Sequence, residues 1–208
     1  MTARALPEIV SREAWLAARK QLLLREKEVT RLRDQVNAER RRLPMVEIKT
    51  SYVFEGPAGK LSFLDMFEGR RQLYVHHFMW IDSRDEGCPS CSLAADLNFG
   101  PRLREQLESR DITFVAISRA PFASIRRYKA AKGWTFPFYS SAGSSFNYDL
   151  HATLDESKAP IEYNYQTKAE LLQRGVPEAL LHGDMPVNSV FLRDGDRVFH
   201  CYSASARG

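Results

Sequence analysis

Residues 73–91 read LYVHHFMWIDSRDEGCPSC, and the architecture is decided in this stretch. Its first eight residues, Leu73 to Trp80, form an almost unbroken apolar and aromatic run, the pattern of a central strand buried on both faces. After a polar break come Cys88 and Cys91, and from Pro89 to about Leu97 the pattern turns helical. A dithiol between a buried strand and a helix is placed for thiol chemistry. The reactive species is the thiolate, and a free cysteine, with a pKa of about 8.5, is mostly protonated near neutrality unless a positive potential favours its anion. Cys88 at the N-cap meets that potential, because unpaired backbone N–H groups and the positive end of the helix dipole point at its sulfur. Pro89 suits the first helical position, where a missing N–H leaves no bond unmade. Cys91 lies roughly one turn along on the same side, close enough for a short disulfide. Cys88 is then nearer solvent as the attacking thiol, and Cys91 more sheltered as the resolving thiol.

Competing readings require further ligands or partners. A structural zinc site needs four ligands at recognisable spacings, and no second CxxC or nearby HxxxH accompanies this pair; His200 with Cys201 is the one combination that would complete it. No metal and no organic cofactor is expected. Cys201 sits in the final strand with no helix terminus nearby and reads as a packed or edge-strand thiol. His76 and His77 occupy opposite faces of the central strand, so at least one is buried and hydrogen-bonded; either one, near the Cys91 thiol, would serve as a proton acceptor. Arg119 follows a second buried strand, Ile112 to Ser118, at the carboxyl edge where open α/β sheets place their sites. There it either stabilises a thiolate or is solvated. Pro186 precedes the last hairpin, as an ordinary strand-start proline or as a cis residue presenting backbone to the dithiol and a substrate chain. Around the catalytic pair Cys88 and Cys91, the candidate substrate-positioning residues are thus Pro186, Pro89 and Arg119.

Outward from the dithiol, helix and strand alternate. Pro101 kinks the first helix or starts a second one running to Ser109. A further helix begins at Pro121, shares Phe122, Ile125 and Tyr128 on one face, and ends at Gly133; Trp134 to Tyr139 is the third strand. Upstream, Tyr52 to Glu55 and Lys60 to Phe63 flank a four-residue loop, Gly56 to Gly59, as an early hairpin. Downstream, a loop-rich insertion over about 140–185 carries a short helix, Ala169 to Gln173. The closing hairpin pairs Asn188 to Arg193 with Arg197 to Ser203 around Asp194-Gly195. Parallel pairing of the buried strands with right-handed crossovers predicts an open α/β sandwich.

The 208 residues are 44% hydrophobic, enough for one substantial core. The net charge of +4 is uneven: residues 1–43 hold eleven basic and six acidic side chains, and residues 44–208 are nearly balanced. The chain therefore divides into an N-terminal helical arm, 1–43, and a domain, 44–208. The arm reads as one helix from Ser11, a candidate N-cap, to Arg42, before Pro44. Trp15, Leu22, Val29 and Val36 recur every seven residues and need a partner surface, which makes a homodimer through this helix an expectation. No base-reading motif accompanies the charge, so nucleic acid is not an expected partner. No apolar window reaches about 18 residues, so no membrane span is expected, and the start MTARALPEIVSREAW lacks a secretory run. Three cysteines cannot build a disulfide framework, and a reducing, cytoplasmic location is expected.

These residues, taken together, resemble the thioredoxin-like superfamily, and more closely the bacterial family known as domain of unknown function 899, described as predicted dithiol-disulfide oxidoreductases. The likeness covers nearly the whole chain. It rests on His77-Phe78-Met79-Trp80 before Gly87-Cys88-Pro89-Ser90-Cys91-Ser92, on Phe114 through Pro121, on Gly133-Trp134-Thr135-Phe136-Pro137, on Phe146-Asn147-Tyr148-Asp149, and on Ser189-Val190-Phe191 through Asp194-Gly195 to Tyr202. It implies a thioredoxin-like three-layer sandwich with a central mixed sheet, Cys88 as nucleophile, Cys91 as resolving cysteine, and a cis bond before Pro186. The early hairpin resembles the peroxiredoxin branch, but Asp85 stands where a peroxiredoxin has Thr or Ser, three residues before its reactive cysteine. Thioredoxin itself has tryptophan before its first cysteine and Gly-Pro within the pair, where this chain has Gly87 and Pro89-Ser90. The thioredoxin pattern also continues into a last helix, whereas this chain stops at Gly208, so either the N-terminal helix covers that sheet face or the chain is cut short. The resulting expectation is a thiol-disulfide oxidoreductase acting on a protein or small-molecule disulfide or thiol. The alternatives are a peroxiredoxin-like thiol peroxidase and a redox-inert interaction module.

Overall fold

A computed structural model describes residues 6–205, so the end at Gly208 lies outside the described residues. The chain forms two compact units, one up to Leu43 and one from Pro44. The first is built on helix α1 (Arg12–Arg40). Its N-cap is Ser11, whose hydroxyl accepts the Ala14 N–H at 3.2 Å; Glu13 lies in the first turn and Arg40 in the last, each suited to its end of the dipole. Among the described residues, no helix is long and apolar enough to cross a membrane.

The second unit runs β1 (Val46–Ile48), β2 (Val53–Gly56), β3 (Gly59–Ser62), β4 (Gln72–His77), α2 (Pro89–Asn98), α3 (Pro101–Glu108), β5 (Ile112–Ser118), α4 (Phe122–Lys132), β6 (Phe138–Ser140), α5 (Phe146–Asp149), α6 (Lys168–Gln173), β7 (Val187–Asp194) and β8 (Arg197–Ser205). These strands form one mixed sheet in the order β1-β8-β7-β4-β5-β6-β2-β3. β4, β5 and β6 are parallel, joined by helical crossovers, while β7 and β8 return antiparallel beside β4. Alternation along β4 builds both cores. Tyr74 and His76 face α2, α3 and α4 with Phe114, Ala116 and Phe138, and Leu73, Val75 and His77 face Phe67, Phe146 and Phe191.

Several boundaries differ from the sequence expectation. β4 ends at His77 because Trp80–Ile81 pairs instead with Glu86–Gly87, a separate short ribbon that leads into Cys88. The early hairpin turns on two residues, Pro57 and Ala58, since Gly56 pairs with Gly59, whose φ of 99° suits glycine. The closing hairpin turns on Gly195-Asp196, because Asp194 pairs with Arg197. The third strand is confined to Phe138–Ser140. The strand β1, too short to show a period, was absent from the sequence reading and pairs with β8. The insertion owns a small core of Leu154, Ile161, Leu171 and Leu181, and α6 carries a full capping box from Thr167 and Glu170.

Candidate active site at the head of helix α2

Cys88 is the N-cap of α2, Pro89 its first residue, and Cys91 lies within its first turn. Cys88 is partly exposed, Cys91 is buried, and both are free thiols. The ribbon before them is anchored tightly: the Cys88 N–H donates to the Met79 carbonyl at 3.0 Å, and the buried Gly87 leaves no room for a side chain between Phe78 and Tyr128. The helix is held from the other side by α4 and the segment after it. Ser92 and Tyr128 share a hydroxyl bond of 2.9 Å, and the Trp134 indole N–H donates to Asp96 at 2.7 Å.

The two sulfurs sit in opposite electrostatic settings. Burial raises the Cys88 thiol, but the Ser90 hydroxyl, 3.1 Å away, and the backbone N–H groups of Cys91 and Ser90 favour its anion and leave it below the ordinary cysteine value. Burial pushes Cys91 up to about 11; the Met79 N–H opposes this, while negative charge on Cys88 and Asp184 adds to it. The environments thus separate a thiol that ionises readily from one that does so only when a base takes its proton.

Asp184, on the short strand Gly183–Asp184, is a component of the site that the sequence reading missed. It accepts the Trp80 N–H at 3.1 Å and the Thr153 hydroxyl at 2.7 Å, which ties the insertion to the ribbon preceding the dithiol. Burial raises its pKa against the opposing pull of Thr153, Trp80 and Arg119. Its only sequence signal was adjacency to Met185-Pro186. Arg119 lies on this same edge, 3.9 Å from Asp184 and over the Tyr148 ring at 4.8 Å, so its charge is directed at the carboxylate.

The remaining candidates fall elsewhere. Every peptide bond among the described residues is trans, which corrects the cis bond implied for Met185-Pro186; Pro186 is exposed just before β7, and its carbonyl accepts the Tyr163 hydroxyl. Both histidines are buried, but neither is among the groups acting on Cys91. His76 Nδ1 meets Asn188 Oδ1 at 2.8 Å, and His77 Nε2 meets the Ser189 hydroxyl at 3.1 Å. Asp85 adopts φ 52° and pairs with Arg127. Cys201 is a half-buried strand thiol raised by burial. Among the described residues, no three His, Cys, Asp or Glu side chains converge as a metal-binding group.

The sequence model of a family described as "Bacterial protein of unknown function (DUF899)" matches residues 4–208. No curated protein matches the chain. Among solved structures, peroxiredoxin Q of Xanthomonas campestris superposes with a TM-score of 0.52 at 9% identity, over 78% of this chain and 86% of that one. Peroxidoxin BcpB from Mycobacterium tuberculosis gives 0.50 at 12% identity, over 80% and 86%. At such identities the likeness establishes the fold, a thioredoxin-like α/β sandwich, as the sequence resemblance implied; activity has to be argued from the site itself.

Proposed function

We propose that this chain, which belongs to the bacterial DUF899 family, is a thiol-disulfide oxidoreductase whose working pair is Cys88 and Cys91. The supporting observation is the split environment at the head of α2: an accessible N-cap thiol lowered by surrounding N–H and O–H groups, and a buried thiol raised to about 11. In the reaction the Cys88 thiolate attacks one sulfur of a substrate disulfide. The substrate S–S bond breaks, its other sulfur leaves as a thiolate, and a mixed disulfide forms. Cys91 then loses its proton and attacks the Cys88 sulfur, releasing the second substrate thiol and leaving a Cys88–Cys91 disulfide. Two electrons pass to the substrate, and a dithiol reductant restores the pair. Asp184 is the proton acceptor for Cys91 in this scheme, because it is the carboxylate whose charge reaches that thiol.

Replacing Cys91 by serine should freeze the first step. Reduced C91S protein is expected to accumulate a mixed disulfide with a disulfide substrate, visible as a mass increase on Cys88, while C88S forms none; turnover surviving in C88S would refute the assignment.

A second reading, a thiol peroxidase, draws on the fold shared with peroxiredoxin Q. There Cys88 would take one oxygen of a peroxide as a sulfenic acid and release an alcohol or water, and Cys91 would condense with it, releasing water. Asp85, committed to Arg127 at the position where the resemblance calls for a hydroxyl, weighs against this route. Oxidation of the reduced pair by hydrogen peroxide faster than by any disulfide would reverse the ranking.

A further inference from the structure

A cavity of about 440 Å³, within the size range of small-molecule sites, adjoins Met79 and Asp184, while neither Cys88 nor Cys91 lines it. Its walls come chiefly from the insertion, with Leu171, Val176, Leu181 and Met185 supplying apolar surface. Two wall residues belong to both the cavity and the dithiol. Met79 receives the Cys88 N–H on its carbonyl, and Asp184 is hydrogen-bonded to the Trp80 N–H in the ribbon that carries Cys88. A molecule lying in this space therefore rests against the residues that hold the attacking thiol.

The wall also has a polarity. Among the described residues, Asp184, which Arg119 approaches at 3.9 Å, is the one carboxylate on this wall, and Arg174, bonded to Gln166 Oε1 at 2.6 Å, and His182 are its basic groups. The exposed Arg174 guanidinium favours an anion beside it, and Leu171, Val176 and Leu181 offer apolar surface on the same wall.

We propose that this cavity is the substrate site of the dithiol, and that it takes a small amphipathic disulfide: an apolar body along Leu171, Val176 and Leu181, a carboxylate end toward Arg174, and the S–S bond presented to Cys88. The assignment rests on the dithiol reading above and adds to it the class of molecule that is turned over. The step is the exchange already balanced, with the substrate disulfide reduced to two thiols and the protein pair oxidised. A cavity of this size, with an apolar wall and one basic group, discriminates by removing the substrate's apolar surface from water. A small polar disulfide gains nothing from it and reports only the reactivity of the thiols.

The test compares four probes on the full chain in single-turnover oxidation of the reduced protein: lipoic acid, lipoamide, bis(2-hydroxyethyl) disulfide and a leucine-flanked peptide disulfide. Lipoic acid is an apolar chain with a carboxylate at one end and a cyclic disulfide at the other; bis(2-hydroxyethyl) disulfide is small and uncharged. Ala179 and Leu180 are exposed on the cavity wall, so their replacement leaves the core untouched. A179W, which fills the space, and L180E, which puts a charge on the apolar wall, should each slow lipoic acid about tenfold and leave the hydroxyethyl disulfide within about twofold. R174L should slow lipoic acid but not its amide, lipoamide. Equal effects on both probes, or none on either, would overturn the cavity assignment while leaving the dithiol intact. Sensitivity confined to a leucine-flanked peptide disulfide would hand the cavity to a polypeptide and overturn the small-molecule class. Failure of the wild-type protein to react with the hydroxyethyl disulfide would instead refute the dithiol reading beneath both.

Discussion

Cys88 and Cys91 sit in different electrostatic settings because one caps a helix and the other is inside it. Burial opposes the anion of the N-cap sulfur, but the Ser90 hydroxyl and the backbone N–H groups of the first turn favour it and leave the thiol below its ordinary value. The sulfur one turn later is shielded from water, and burial, with negative charge on Cys88 and Asp184 adding to it, favours its protonated form. If Asp184 receives that proton, the two steps should separate in a single experiment. With an aromatic disulfide that yields a coloured thiolate, Cys88 releases the first equivalent and Cys91 the second. Asp184→Asn should leave the first phase nearly unchanged and slow the second by about tenfold or more. The wild-type second phase should also rise with pH through the ionisation of Asp184, which burial places above the ordinary carboxylate value, and this limb should vanish in the variant. A second phase of unaltered rate and pH profile would exclude Asp184 from the proton transfer, even though losing its charge by itself makes Cys91 more acidic.

At the scale of elements, the dithiol depends on a seat made of aromatic rings. Phe78, Trp80, Tyr128 and Trp134 touch edge to face beneath the ribbon that delivers Cys88. Gly87 lies against them, and a Cβ there would come within 2.7 Å of the Phe78 ring and 2.9 Å of Tyr128. Gly87→Ala should therefore destabilise the protein by about 1–3 kcal/mol and raise the thiol pKa of Cys88 as the cap geometry loosens, read by urea melts and thiolate absorbance at 240 nm. A variant with native stability and an unmoved thiol would show that the seat yields. The helices α2 and α4 and the strands β4 and β5 were legible in the sequence because each combines a strong period with an end signal: Pro89 at a helix start, Gly133 at a helix end, unbroken apolar runs in the strands. What the sequence hid is pairing. The register slips between Val190 and Phe191, where Cys201 bulges out between His200 and Tyr202. The bulge puts His200 and Ser203 on one face, 2.8 Å apart, although their spacing in a regular strand would place them on opposite faces. Asp184 was hidden for a similar reason: its partners Trp80 and Thr153 come from distant segments, and no local period marks a carboxylate that long-range packing buries.

At the scale of the molecule, a chain of polar groups runs through the core on one face of the sheet. His77 Nε2 meets Ser189, Ser189 meets Ser203, and Ser203 meets His200, in steps of 3.1, 2.8 and 2.8 Å. Sequence reading anticipated at least one buried histidine on β4, and both are buried, though it could not say what covered either face. Burial drives the pKa of His77 down to about 3, with the charges of His76 and His200 adding to the effect, and burial lowers His76 and His200 as well. An unfolded histidine takes a proton near 6.5, so above that pH neither state is charged and the full stability is present. Below it the unfolded chain binds protons that the folded chain refuses, and each such histidine costs about 1.4 kcal/mol per pH unit until its folded pKa is reached. Folding stability should consequently fall as pH drops from 6.5 to 5, a window in which ordinary carboxylates stay ionised and contribute little. His77→Gln keeps a polar group for Ser189 but removes the refused proton, so its unfolding free energy should vary with pH by about one proton less than the wild type. Urea denaturation across that window measures both slopes. Identical slopes would mean that His77 already holds a proton in the folded protein, and that the buried chain carries a charge rather than a neutral relay of hydroxyls and rings.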